Sequence, residues 1–161
     1  MPAIQERHKK LAFYGVPSTG TAGYVLTRMT FFTKITTNKN PIEHSVKYVD
    51  EPTKRNTVAG YDTSIDYGFD DHAGDTVLQD IARIHTKELT GELAERMILV
   101  VDTYDNTAVL RKYSVVPGTE GDDADIYTYS GTLKANGEIT TGTVTTSDNY
   151  QTITFTADSS T

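Results

Sequence analysis

The sequence predicts a mainly β, antiparallel domain carrying a single helix (α+β character is minor). Three observations carry that reading. Threonine is abundant, 27 of 161 residues, and with valine, isoleucine and tyrosine it suits a pleated, half-buried surface and loses χ1 freedom in a helix. Most of the chain alternates at period two. Only the stretch around Val77–His85 repeats at helical spacing.

In chain order, Lys10–Tyr14 reads as a short strand and 15–23 as a Gly-rich loop. Val25–Ile35 alternates, with Val25, Met29, Phe31 and Ile35 sharing a face. After a turn at 36–41, where Pro41 disfavours helix for Asn40, Ile42–Val49 alternates again. Strands 25–35 and 42–49 are expected to pair as a long hairpin. Asp50–Gly60 is a charged connector.

Tyr61–Asp70 alternates most cleanly. Tyr61, Thr63, Ile65, Tyr67 and Phe69 point to a core, and Asp62, Ser64, Asp66 and Asp70 point away from it. A slip of one residue would bury the aspartates, so the register is strongly specified. The helix is expected at about 76–89, with Val77, Leu78, Ile81, Ile84 and His85 on its apolar side. Thr76 and Gln79 form a capping-box pattern, Asp75 complements the positive end of the dipole, and Gly91 supplies the stop. A lone amphipathic helix among strands must cover a sheet face or close the end of a sandwich.

Arg96–Thr103 is the most apolar strand and reads as central. Asp105–Asn106 turns it into Val109–Val116. An acidic loop follows at 117–125, then a strand at 126–135, a hairpin turn at Asn136–Gly137, and strands at 139–146 and 150–157. There is no internal repeat and no linker. One domain over 1–161 is expected, with an N-terminal arm at 1–9, a connector at 50–60 and a loose tail at 158–161.

Composition limits function. Without cysteine there is neither a disulfide framework nor a thiolate metal site. Met1–Lys10 is polar and not followed by an apolar run, so no secretory signal is expected, and Met97–Val101 is too short to span a bilayer. The net charge of −7, from 22 acids against 15 bases, opposes tight binding of phosphate backbones.

The four histidines lack metal-site spacing. His85 and His44 read as packing residues, and His72 sits among Asp70, Asp71 and Asp75, where a helix start explains the acids. The loop Glu120–Asp125 is rich in carboxylates but does not match a calcium-loop pattern. No Ser-His-Asp arrangement, phosphate loop or distinctive carboxylate pair is present. The expectation is no catalytic residue, no metal, no cofactor and no enzyme activity.

The order of these elements, together with the runs Leu11-Ala12-Phe13-Tyr14-Gly15-Val16-Pro17, Lys39-Asn40-Pro41-Ile42-Glu43, Tyr48-Val49-Asp50-Glu51-Pro52 and Tyr127-Thr128-Tyr129-Ser130-Gly131, resembles the tail tube (major tail) proteins of tailed bacteriophages infecting Gram-positive bacteria. The resemblance covers nearly the whole chain and contains no catalytic signature. It implies a β-sandwich or distorted barrel flanked by one helix, six copies joining edge to edge into rings, and rings stacking into a hollow tube that conducts DNA. It implies partnership with tape measure, tail terminator and distal tail proteins, no membrane association, and a place in the virion tail after assembly in the host bacterial cytoplasm.

Set beside that resemblance, the acid-bearing face of 61–70 has a use, since a negative wall would repel DNA. Asp62, Ser64 and Asp66 are expected to face the channel. Glu51, Lys54, Arg55 and Asn56 in the connector are expected to make the ring-to-ring contact, their mixed charges suiting a polar interface. Two other readings share the composition: a tube or tail-completion component of a bacteriocin-like particle, and a soluble β-sandwich that binds carbohydrate or cell wall.

Overall fold

The computed structural model describes residues 2–17 and 24–158. The predicted loop at 15–23 lies outside them beyond Pro17, as does the tail beyond Asp158. Eleven strands and one α-helix make up the described residues, with short 3₁₀ turns at Arg7–Lys9 and Gly91–Ala94. Nine strands form one antiparallel sheet: β1 (Lys10–Pro17), β2 (Tyr24–Arg28), β3 (Phe32–Asn38), β6 (Ser64–Asp70), β7 (Glu95–Asp102), β8 (Thr107–Glu120), β9 (Thr128–Ala135), β10 (Thr140–Thr145) and β11 (Thr154–Ala157). Its main path runs β2-β1-β7-β8-β9-β6-β3. β4 (Pro41–Val46) and β5 (Arg55–Tyr61) pair only with each other among the described strands.

This topology corrects the early hairpin. The apolar run 25–35 is two strands, broken where Phe31 takes φ 67°. β2 then turns back along β1, and β3 pairs with β6. The 42–49 segment pairs with Arg55–Tyr61, which the sequence presents as a connector. The hairpin 96–103/109–116 does form, its turn passing through Asn106 in the left-handed region, φ 61°. The strands flanking Asn136–Gly137 do not pair with each other; β8 is long enough to take β10 along Thr107–Leu110 and β9 along Tyr113–Glu120.

The sheet has two apolar faces. On one, Tyr14, Ile65, Tyr67, Phe69, Ile98, Tyr113, Val115, Tyr129 and Leu133 meet the helix α1 (Thr76–Lys87). On the other, Phe13, Leu99, Val101 and Ala108 meet Val144, Ile153 and Phe155 from the β10–β11 hairpin. Each fully buried large side chain contributes roughly 1.5–3 kcal/mol by leaving water.

Helix α1 buries Val77, Leu78, Ile81, Ala82, Ile84 and His85, the stripe that the spacing predicts. Its cap is Asp75, whose carboxylate accepts from the Leu78 amide at 3.1 Å, so the cap lies one residue before the predicted Thr76. It ends at Glu88, held at φ 50°, before Gly91 is reached.

The sheet curls. Arg7 donates to the Lys10 carbonyl at 2.9 Å and to the Ile35 carbonyl at 3.2 Å, and the Met29 amide donates to the Ala12 carbonyl at 2.9 Å. These contacts draw the β3 edge towards β1. Between them lies a cavity of about 410 Å³ lined by Leu11, Ala12, Met29, Ile35, Ile98 and Leu133. The result is the mainly β, helix-flanked architecture that the sequence predicts.

Candidate functional site

Two features stand apart from the packed body: the β4–β5 arm and the polar sheet face turned away from α1.

The arm is almost wholly exposed. Ile42, Tyr48, Val49, Val58 and Tyr61 all lie in solvent, Val49 completely. His44, expected to pack, is exposed with them, because this alternation has no core beneath it. Tyr61 likewise lies outside the core assigned to it by sequence. At the root, the Asp62 amide donates to the Asn40 carbonyl at 3.1 Å and the Asn40 side chain donates to the Asp62 carbonyl at 3.0 Å. At the tip, the Arg55 Nε donates to Glu51 at 2.7 Å and the guanidinium stands 5.6 Å over the Tyr48 ring. Ser45 donates to Asn56 Oδ1 at 2.6 Å. Of the four predicted contact residues, Glu51, Arg55 and Asn56 are thus engaged within the arm, and Lys54 stands exposed at its tip. An isolated two-stranded hairpin is at best marginally stable in water, so this arm lacks the burial that stabilises other strands.

On the polar face, Ser64 and Asp66 alternate with the core residues Ile65 and Tyr67. Asp66 lies between Thr36 of β3 and Thr132 of β9. Its carboxylate accepts from Asn38 Nδ2 at 3.0 Å and from Thr132 Oγ1 at 3.3 Å. Ser64 is only 8 % exposed and lies within 3.4 Å of Asn40 Nδ2, while Asp62 is exposed at the arm's root. The structure therefore places two of the three residues on one face and the third beside it. The sequence reading missed Lys34 and Lys134. Lys34 lies opposite Gly68, and Lys134 opposite Ser64. The face is lined by hydroxyls with charges of both signs, rather than by acid alone. Only the strand pairing, not local pattern, brings those lysines to it.

The remaining polar groups of the interior fasten α1 to the sheet. Asp80 accepts from Arg96 Nε at 2.9 Å, from Arg83 Nη2 at 3.0 Å and from the Tyr14 hydroxyl. Burial favours the neutral Asp80, but those donors outweigh it and hold its pKa below the ordinary value. Burial and the neighbouring Asp80 carboxylate push the Tyr14 hydroxyl far up, so it stays a donor. His85 Nε2 lies 2.7 Å from the Tyr67 hydroxyl, and burial lowers the imidazole pKa. Among the described residues, both clusters are satisfied by internal partners. Among the described residues, no group of three or more His, Asp or Glu side chains is placed to hold a metal. Nor, among the described residues, is any helix long and apolar enough to cross a membrane.

No protein-family model matches the sequence. No curated protein matches it either. Solved structures match its fold. One is a chain from the tail of an empty GTA particle with C6 symmetry, at TM-score 0.57 and 12 % identity, over 84 % of this chain and 97 % of that one. Another is from the baseplate of the anti-feeding prophage, 6-fold symmetrised, at TM-score 0.53 and 10 % identity, over 88 % of this chain and 97 % of that one. At such identities the shared feature is the fold, and it extends across nearly all of both neighbours.

Proposed function

We propose that the chain is a structural subunit of a phage or phage-derived tail, forming six-membered rings that stack into a hollow tube for DNA. The observation that carries the reading is the pairing of two facts. The fold is that of subunits from six-fold tail and baseplate assemblies. Among the described strands, the arm, which bears apolar side chains, and the outer strands β2 and β3 lack a full complement of strand partners. Open edges are a hazard for a monomer. A closed ring removes the hazard by pairing each edge with its neighbour's.

In this arrangement the sheet face bearing Ser64 and Asp66, with Asp62 beside it, lines the channel, and α1 faces outward. DNA, at about one charge per 1.7 Å, meets hydroxyls and six-fold repeated carboxylates interspersed with Lys34 and Lys134, a face of mixed sign and not the purely negative wall expected from the sequence. The arm, with Glu51, Lys54, Arg55 and Asn56 at its tip, reaches the next ring. The residue runs quoted above favour a Gram-positive host, with tape measure, terminator and distal tail proteins as partners. The baseplate neighbour supports a second reading, a single ring that starts or ends a tube.

Purification followed by light scattering and negative-stain microscopy tests the proposal. Tubes of uniform bore support the tube, isolated rings support the second reading, and a monomer at every concentration overturns both. Asp62→Lys/Asp66→Lys should leave assembly intact and impair DNA delivery. Full infectivity of that variant would remove the channel assignment.

A further inference from the structure

Resting on the stacking reading, the surface that receives the arm can be located. The arm's root and the acidic loop lie at opposite ends of β6. At one end, Ser64 stands opposite Asn38, with Asn40 and Asp62 clasped beside it. At the other, Asp70 stands opposite Thr128, and β8 arrives at Glu120 opposite Tyr129. The two ends are separated by seven strand residues, about 20 Å at roughly 3.3 Å each.

That far end is an unpartnered aromatic surface. Phe31 is 58 % exposed with its backbone at φ 67°, a conformation strained for a bulky residue. Its ring stacks on His72 at 4.4 Å between centroids. Tyr127, 49 % exposed, is joined to the same loop by a 2.8 Å bond from the Asp71 amide to its carbonyl. An exposed aromatic on a strained backbone contributes little to folding, so its placement needs another explanation. Carboxylates flank His72 and Tyr127. Asp71 and Asp125 are exposed, and Glu120 bonds the Tyr127 hydroxyl at 2.8 Å. Between Glu120 and Asp125 the loop carries four acids and no Lys or Arg.

The arm's tip has the complementary make-up. Lys47 and Lys54 are exposed there, beside Tyr48 and Val49. Arg55 and Glu51 neutralise each other, which leaves two lysines against Asp50. We propose that the surface formed by Phe31, His72 and Tyr127, with Asp71 and Asp125 beside them, receives the β4–β5 tip of a second copy. Val49 and Tyr48 cover the aromatic patch, and Lys47 and Lys54 meet the carboxylates. Because the tip and the aromatic patch are different surfaces of one subunit, and the arm is rooted at the other end of β6, the contact is heterologous and head to tail, and it propagates along one axis. Ring closure through the sheet edges is a separate contact.

Charge reversal tests this. Lys47→Glu/Lys54→Glu and Asp71→Lys/Asp125→Lys alter exposed side chains, and the one bond lost from Asp71, accepted from Gln79 Nε2 at 3.0 Å, is itself exposed, so the melting temperature should move little. Each pair should raise the protein concentration needed for tubes, read by pelleting and negative stain, at least about tenfold, since juxtaposed like charges cost several kcal/mol. The quadruple variant, in which every contact is reversed on both sides, should recover to near the wild-type threshold. Phe31→Gly, which relieves the strained φ, should leave the subunit folded and still weaken stacking. Wild-type thresholds for the Asp71→Lys/Asp125→Lys protein, or no recovery in the quadruple variant, would overturn this docking surface. If the wild-type protein forms no tubes, the stacking reading itself fails. If wild-type tubes form and only the arm reversal blocks them, that reading stands and the receiving surface is elsewhere.

Discussion

Replacing Gly131 with alanine is the smallest change that should damage the body of this fold. Gly131 lies in β9, opposite Tyr67 of β6 on one side and Pro117 of β8 on the other. The β8 ladder shifts register between Pro117 and Thr119, where Gly118 is the extra residue of a bulge. A Cβ on Gly131 would stand 2.5 Å from the Val116 carbonyl oxygen, 2.6 Å from the Tyr67 hydroxyl and 2.9 Å from the Gly118 nitrogen. Two of these atoms are backbone fixed in the ladder, so the strand must move. Overpacking of this kind costs about 1–3 kcal/mol. The Tyr67 hydroxyl also lies 2.7 Å from His85 Nε2 on a side chain that is 1 % exposed. Displacing it leaves buried polar atoms unpaired, for about 1–3 kcal/mol more. The sum is about 2–6 kcal/mol. At about 2–4 °C per kcal/mol for a domain of this size, the melting temperature should fall by roughly 5 °C or more. Gly60→Ala is the control, because nothing lies within 4 Å of its added Cβ, and it should stay within about 0.5 kcal/mol of the parent. Thermal and urea unfolding read both. If Gly131→Ala melts with the wild-type protein and shares its m-value, the packing argument at the bulge is wrong.

The ion cluster under α1 makes a second prediction. Asp80→Ala strands Arg96, whose side chain is 5 % exposed, and should cost about 3–5 kcal/mol in urea unfolding. Asp80→Leu/Arg96→Met should cost much less than the two single changes added together, and a strictly additive result would refute the pairing. The pH dependence of the buried interior follows from two of its shifted groups, His85 and Asp80. His85 has a folded pKa below its ordinary 6.5, so its contribution is complete above that value and declines as the pH falls, because the unfolded state takes the proton first. The Asp80 contribution is present above its ordinary 3.8 and is lost as the pH falls through its lowered folded value. Melting temperature against pH should therefore decline in two stages, and the upper stage should vanish in His85→Gln.

Where burial imposed a period, the sequence was legible. β6 alternates because Ile65, Tyr67 and Phe69 meet a core, and α1 shows its stripe because Val77, Leu78, Ile81 and Ile84 meet the same one. The arm was opaque for the opposite reason. Arg55–Tyr61 is exposed on both faces, so no selection for alternation marks it as a strand, and Pro52 with its charged neighbours looks like a linker. The break at Phe31 was invisible because a phenylalanine gives no warning of positive φ. Asp66 was identified as lying away from the core, whereas its neighbours Asn38, Thr132, Lys34 and Lys134 stand about 28 to 68 residues from it in sequence. That pairing depends on the curl of the whole sheet, to which no single segment is a guide.

The uneven distribution of burial bears on how assembly is controlled. The sheet body is covered by α1 on one face and, along β1, β7 and β8, by β10–β11 on the other, and its buried polar side chains are bonded internally. The arm has a two-strand ladder, a clasp at Asn40–Asp62 and almost no buried apolar surface. Its order in the lone subunit therefore rests on the weakest interactions in the molecule, and whatever covers it supplies most of its stability through mass action. On the tube reading, fixing the arm costs entropy in the first contact and less in each arm that follows on an already ordered ring. Starting a stack is then harder than extending one, so subunits remain dispersed until a template ring presents six receiving surfaces together. Hydrogen exchange of the Arg55–Tyr61 amides reads this directly: they should exchange quickly in the dispersed subunit and become protected in step with tube growth.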